Sequence, residues 1–248
     1  VAEQANAGLN IDPMGQFEIT PIFGGDDGIL AFTNSSLWMV IVLVVATLVF
    51  VLGSQGRALI PTRLQSIAEL IYGFVRQTVR DTAGTDGLKY FPIIFTIFVF
   101  VLLSNLLGLI PYSFTVTSHL AVTATMALGV FVSVILIGFI KHGLHFLSFF
   151  VPSGCPPLML PLLVPVEVIS FFVRPISHSV RLAANMLAGH AVLKVFAGFV
   201  APLGIGGVLP LGAMVGIYGL EVLVAVVQAF IFMILTAIYL NDALHMHG

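Results

Sequence analysis

The chain has 248 residues, 59% of them hydrophobic and only 8% charged, with a mean hydropathy of +1.13. A soluble globular domain carries about 25% charged residues, so composition excludes that class and predicts a polytopic membrane protein. The formal net charge of −2 singles out no partner, the lone Cys155 excludes an intrachain disulfide or a cysteine-built metal site, and no Walker sequence is present to cradle nucleotide phosphates.

Residues 1–36 hold Glu3, Asp12, Glu18, Asp26 and Asp27 but no Lys or Arg, and read as a polar tail. The first residue is Val, which reads as a processed or trimmed start. There is no basic region ahead of the first long apolar run, near Leu37, so the start is not a secretory signal. The remainder, 37–248, reads as a single helical membrane domain. Its first span covers about 37–53, just long enough for a hydrocarbon core of about 30 Å. The linker that follows, 53–90, carries Arg57, Arg63, Arg76, Arg80 and Lys89, five of the nine basic residues. The positive-inside rule places that linker in the cytoplasm or matrix and the N-terminal tail on the opposite side. Within it, Leu64, Ile67, Ala68, Ile71, Val75 and Val79 recur at helical spacing after Pro61. They predict an amphipathic helix on the membrane surface over about 62–80.

Further spans are predicted over about 91–110 and 120–140, with the turn at Ile110-Pro111-Tyr112-Ser113 and Lys141 returning the chain to the basic side. Prolines 152, 156, 157, 161 and 165 predict an irregular connection over 152–165. Two long helices follow, about 166–200 and 208–243, joined by Pro202-Leu203-Gly204-Ile205-Gly206-Gly207. Some 35 residues of helix reach about 50 Å, more than the bilayer core, so the pair reads as a steeply tilted hairpin with a bend available at Pro175. The predicted fold class is an all-α membrane protein. No internal repeat is evident, which weighs against the inverted-repeat transporters.

The most telling residue is Arg181, in His178-Ser179-Val180-Arg181-Leu182-Ala183-Ala184-Asn185-Met186. A cation at that depth costs a few kcal/mol, and up to about 10, unless it meets an anion or water. No carboxylate of this chain stands out as its permanent partner, so the anion is expected from another protein. Ser177, His178, Arg181 and Asn185 lie 3, 4, 7 and 11 residues after Arg174, on one predicted face. Glu167 falls roughly 40° off that stripe. Glu221 and Gln228, seven apart, share a face of the second hairpin helix. An antiparallel hairpin can bring His190 near Glu221. Carboxylate and imidazole exchange protons near neutrality, and amides order water, so these lines suit a hydrated proton path. Arg cannot exchange its proton, so Arg181 suits a barrier and an electrostatic lure. Ala183, Ala184, Ala188 and Gly189 around it let another helix approach closely. Structural readings stand beside these: Arg174 beside Pro175 pinning its helix, Asn105 and Gln228 tying helices together, Glu167 pairing with an arginine.

These residues resemble subunit a of F-type ATP synthases, in an alphaproteobacterial or mitochondrial form. The matching pieces run in order over most of the chain: Pro61-Thr62-Arg63-Leu64-Gln65 with Glu69; Asn105-Leu106-Leu107-Gly108-Leu109-Ile110-Pro111-Tyr112-Ser113-Phe114-Thr115-Val116-Thr117-Ser118-His119; Arg181-Leu182-Ala183-Ala184-Asn185-Met186-Leu187-Ala188-Gly189-His190; and Gln228-Ala229-Phe230-Ile231-Phe232. The resemblance implies that the hairpin faces a rotor ring of c subunits and that Arg181 is the essential arginine opposite their carboxylates. It implies an outer proton path through Asn185, His190, Glu221 and Gln228, with His119 and Asn105 as further contributors. The inner path would run by Glu167, Ser170 and His178. In the enteric pattern the acid and imidazole of the His190 and Glu221 positions are exchanged. Implied partners are the c ring, b-type stalk subunits, other ATP synthase subunits and membrane lipid, with no nucleic acid, cofactor or metal. The implied location is a bacterial plasma membrane or the mitochondrial inner membrane, and the chain itself is not an enzyme. The rival readings are a secondary cation/proton antiporter and a purely structural membrane subunit.

Overall fold

The computed structural model describes residues 15–23, 32–55, 62–110, 113–151 and 158–245. Several sequence features discussed above, among them Arg57, Pro61, Pro111, Tyr112 and Cys155, lie outside the described residues.

Among the described residues six α-helices carry the fold: α1 (Asn34–Gln55), α2 (Arg63–Gly87), α3 (Phe91–Gly108), α4 (Leu120–His142), α5 (Leu160–Val200) and α6 (Val208–Leu244). Short 3₁₀ turns link several of them. Five helical stretches of the described residues are long and apolar enough to cross a membrane: Asn34–Ser54, Arg63–Gly108, Leu120–Leu147, Leu160–Val200 and Gly204–Leu244. The chain is thus an all-α integral membrane protein, as its composition predicts.

The polar tail is not wholly irregular. Strands β1 (Pro21–Phe23) and β2 (Phe32–Thr33) pair antiparallel, Pro21 opposite Thr33. The Asn34 side-chain amide donates to the Glu18 carbonyl at 2.9 Å, and the Asn34 backbone N–H donates to the Thr20 carbonyl at 3.1 Å. The first helix therefore begins at Asn34, three residues earlier than the apolar run. The Thr33 hydroxyl accepts from Ser36 N–H at 3.3 Å, as an N-cap does.

Helix α2 starts behind Thr62, whose hydroxyl accepts from Gln65 N–H at 3.4 Å. It runs to Gly87, beyond the predicted end near 80. Gly84 makes that extension possible by taking φ 67°, a kink that only glycine adopts freely. The predicted apolar stripe is divided. Ala68, Val75 and Val79 are buried, but Leu64 and Ile67 are 39% and 53% exposed, and Gln65 is buried in their place. The helix packs on α6 and α1.

Helix α5 begins at Leu160, so the proline-rich connection is shorter than predicted. Pro161 lies in the first turn, where N–H groups have no intrahelical acceptor. Pro165 forfeits a single bond, to the Pro161 carbonyl. The 41 residues of α5 span about 60 Å, twice the hydrocarbon thickness.

The core lies where α3 and α6 meet α2, α4 and α5. Val101, Leu182, Met186, Ala229, Met233 and Ala237 are wholly buried there. On the basic side, Lys141 Nζ donates to the Leu244 carbonyl at 3.2 Å and approaches Asp86 at 3.5 Å. This closes the C-terminal end of α6 with a cation, the sign the helix dipole favours.

Candidate functional site

Contacts between α5 and α6 run in opposite senses along the chain: Arg174 with Asp242, His178 with Phe232, Asn185 with Gln228, His190 with Glu221. Each step forward on α5 is a step back on α6, so the two helices form an antiparallel hairpin. That register sorts the charged residues.

Arg174 donates to Asp242 at 3.0 Å, and its guanidinium lies over the Phe171 and Tyr239 rings at 5.6 and 5.2 Å. It has its own anion and is pinned. Arg181 is exposed and meets no carboxylate among the described residues. Ser177, Ala184, Asn185 and Ala188 share its exposed side. His178 does not. It is 5% exposed and set against Phe232 with ring centroids 3.8 Å apart. Three residues of helix turn a side chain roughly 60° from Arg181, enough to pass from the outer face into the interface. Glu167 is half-buried and Ser170 exposed toward the start of α5, and Glu167 pairs with no arginine among the described residues.

Asn185 donates its side-chain amide to Gln228 Oε1 at 3.0 Å, one turn beyond Arg181. Further along, His190 Nδ1 meets Glu221 Oε1 in direct contact, and Glu221 is 4% exposed. The Glu221 carboxyl fits there because Gly189 has no side chain: a Cβ at that position would lie 2.6 Å from Oε1. The other ring nitrogen, Nε2, lies 2.9 Å from the Gly108 carbonyl and 2.9 Å from the Thr115 hydroxyl.

His190 and Glu221 open onto a cavity of about 1030 Å³, walled by Asn34 and Trp38 of α1, by Phe114, and by Lys194 and Tyr218. Most of its wall is apolar. Lys194 follows His190 by four residues on the same face of α5 and makes no ion pair among the described residues. Sequence reasoning missed Lys194, although its i+4 spacing from His190 was the available signal. It also missed Tyr218, whose hydroxyl donates to the Leu109 carbonyl at 3.4 Å, and Asp242, whose partner depends on hairpin register.

Two expected contributors stand apart from that cavity. His119 stacks on Phe114 at 4.9 Å, and burial pushes its imidazole below the ordinary value. Asn105 is fully buried; it donates to the Ala225 carbonyl at 3.1 Å and accepts from the Thr117 hydroxyl at 2.7 Å. Both bonds fasten helices. Asn105→Leu is expected to lower stability by about 1–2 kcal/mol, since it also strands the Thr117 hydroxyl. The thermal midpoint of the detergent-solubilised protein assembly should fall while proton flux per assembled complex holds. A drop in flux at unchanged stability would put Asn105 on the path instead. Among the described residues no three His, Cys, Asp or Glu side chains gather as a metal would need.

Comparison with known proteins covers nearly the whole chain. The family described as ATP synthase A chain matches residues 36–241. A relative from Dinoroseobacter shibae is 54% identical over 250 residues, covering all of both chains. One from Bradyrhizobium diazoefficiens is 54% identical over 248 residues, covering 96% of this chain and 99% of the relative. One from Rhodopseudomonas palustris strain BisB18 is 55% identical over 247 residues, covering 95% and 98%. Each carries the name ATP synthase subunit a.

Proposed function

The chain belongs to the ATP synthase A chain family, and from that premise we propose that it is the stator of a proton-driven rotor, with Arg181 facing a ring of carboxylate-bearing subunits. The observation that carries this reading is the contrast between two arginines on one helix. Arg174 has Asp242, whereas Arg181 is bare on a face of small residues and is flanked by the Asn185–Gln228 bond. A guanidinium left so in a bilayer needs an anion from outside the chain. A ring whose carboxylates arrive in turn supplies one without locking it.

A proton enters through the cavity to the His190–Glu221 pair and passes to a ring carboxylate. The neutral acid then moves into lipid, because its desolvation penalty has collapsed. After nearly a full turn it reaches an inner path by Glu167 and Ser170, with His178 and the Arg174–Asp242 pair behind, and loses its proton there. The new anion is drawn to Arg181, whose fixed charge also keeps protons from passing between the two paths. Each proton crossing about 100 mV contributes about 2.3 kcal/mol, so several are used per ATP made elsewhere in the complex. The hairpin lies tilted against the ring. The basic linker faces the ATP-forming side of an energy-coupling membrane, and the N-terminal segment faces the outer side. The partners are other ATP synthase subunits, among them the ring and b-type stalk subunits.

The test is a cross-link. In a complex lacking Cys155, Ala184→Cys on the exposed face should form a disulfide with a cysteine placed one turn from the ring carboxylate, because Cα atoms within about 7 Å can be bridged. Oxidation should stop ATP-driven pumping and reductant should restore it. An assembled complex that gives no such cross-link overturns the reading.

A further inference from the structure

The histidine of the outer pair is held by atoms that the proton path does not otherwise use. A carbonyl oxygen can only accept. The Gly108 carbonyl, 2.9 Å from His190 Nε2, therefore requires a hydrogen on that nitrogen. The Thr115 hydroxyl donates to the same carbonyl at 3.3 Å, which leaves its lone pairs for Nε2–H at 2.9 Å. The carbonyl is free for this because it ends α3, where the last four carbonyls lack intrahelical partners. Ser113 also donates to it, at 2.9 Å. Glycine is needed at this position, since a Cβ on Gly108 would lie 2.9 Å from Thr115 Cγ2. Two hydrogen-bond acceptors thus hold one ring nitrogen, while the other meets Glu221.

We propose that Thr115 is a positioning residue: with the Gly108 carbonyl it holds His190 in the Nε2–H form, so that the ring exchanges protons only through Nδ1 and shares a single mobile proton with Glu221. The inference rests on the outer path proposed above. Uptake breaks an O–H bond of a hydronium in the cavity and makes one N–H or O–H bond within the pair. Release breaks that bond and makes an O–H bond on the accepting ring carboxylate. The Nε2–H bond is untouched in both steps, so the imidazole is not a through-ring wire. Glu221 Oε2 is buried and has no hydrogen-bond partner among the described residues, so its lone pairs remain available to the shared proton. The Phe17 ring centroid lies 6.2 Å from that of His190, and Lys194 is the nearest charge along α5.

The experiment uses the whole complex in proteoliposomes, with Thr115→Val, which keeps the shape, and Thr115→Ser, which keeps the hydroxyl. Passive proton flux should fall about tenfold in Thr115→Val, the size of one lost hydrogen bond to a charged or polar partner. It should return to within about twofold in Thr115→Ser. In ¹⁵N-histidine-labelled complex, with the His190 signal assigned by its loss in His190→Gln, the native chain should show a protonated Nε2. Thr115→Val should show exchange between tautomers. Normal flux in Thr115→Val, equal loss in both variants, or a native Nδ1–H tautomer overturns the inference. Should Arg181→Ala and Glu221→Gln abolish flux-coupled work while Thr115→Val is silent, the inference fails and the proton path stands. Should those two be silent, the path itself fails.

Discussion

Arg181→Ala is expected to abolish ATP-driven proton pumping, by roughly 100-fold or more, in a complex that still assembles. Assembly survives because the side chain is exposed and bonds to nothing described in its own chain, so its loss opens no cavity and strands no polar group. Function fails because a carboxylate and a guanidinium about 4 Å apart attract by about 4 kcal/mol at an effective dielectric of 20. That is close to three orders of magnitude in the occupancy of the anionic state opposite the stator. On the proposed mechanism, loss of the charge leaves the ring carboxylate no reason to release its proton at the inner path and lets protons cross from one path to the other. Passive leak should therefore persist or rise while pumping is lost. Quenching of a pH-sensitive dye in inverted vesicles measures both. Normal ATP-driven quenching in the variant would refute the role. Arg181→Lys is not a conservative control, since an ammonium is a compact, strongly hydrated charge that does release protons when buried.

The helices were legible because spans are written in long apolar runs, set apart by a linker, 53–90, that holds five of the nine basic residues. Arg181 was legible because a lone cation in such a run costs too much to be kept for packing alone. What sequence concealed depends on register and on backbone. Asp242 looks like a polar residue near the chain's end, and becomes the partner of Arg174 only once α5 and α6 are laid antiparallel. His178 belongs by spacing to the stripe of Arg181, yet the roughly 60° between them spans the boundary between the exposed face and the interface. Thr115 carries no chemical signal of its own, and its position follows from a helix end at Gly108 that leaves a carbonyl unpaired. The sequence conceals the start of α5 because a run of prolines reads as a breaker. A proline in a first turn removes an N–H that had no partner there.

Glu221→Gln is expected to slow proton entry by about 100-fold, the lower range for removing a positioned acid–base group. The substitution conserves shape. The glutamine fits beside Gly189 as the acid does, and its amide can donate to His190 Nδ1, so the pair stays satisfied in the core. What it cannot do is take up or release a proton. Flux should therefore fall in both directions and stay low from about pH 6 to pH 8, since the acid no longer exchanges a proton. An imidazole acting alone would instead leave flux that recovers toward one end of that range. Glu221→Asp separates charge from reach. It keeps an acid but withdraws the oxygen from Nδ1 by about one C–C bond, roughly 1.5 Å, so flux should lie between the native chain and Glu221→Gln. Unchanged flux across the whole range in Glu221→Gln would remove the acid from the path. The outer route would then have to run from the cavity through Lys194 and His190, where the Nε2–H held by Gly108 and Thr115 leaves no outlet on the far side of the ring.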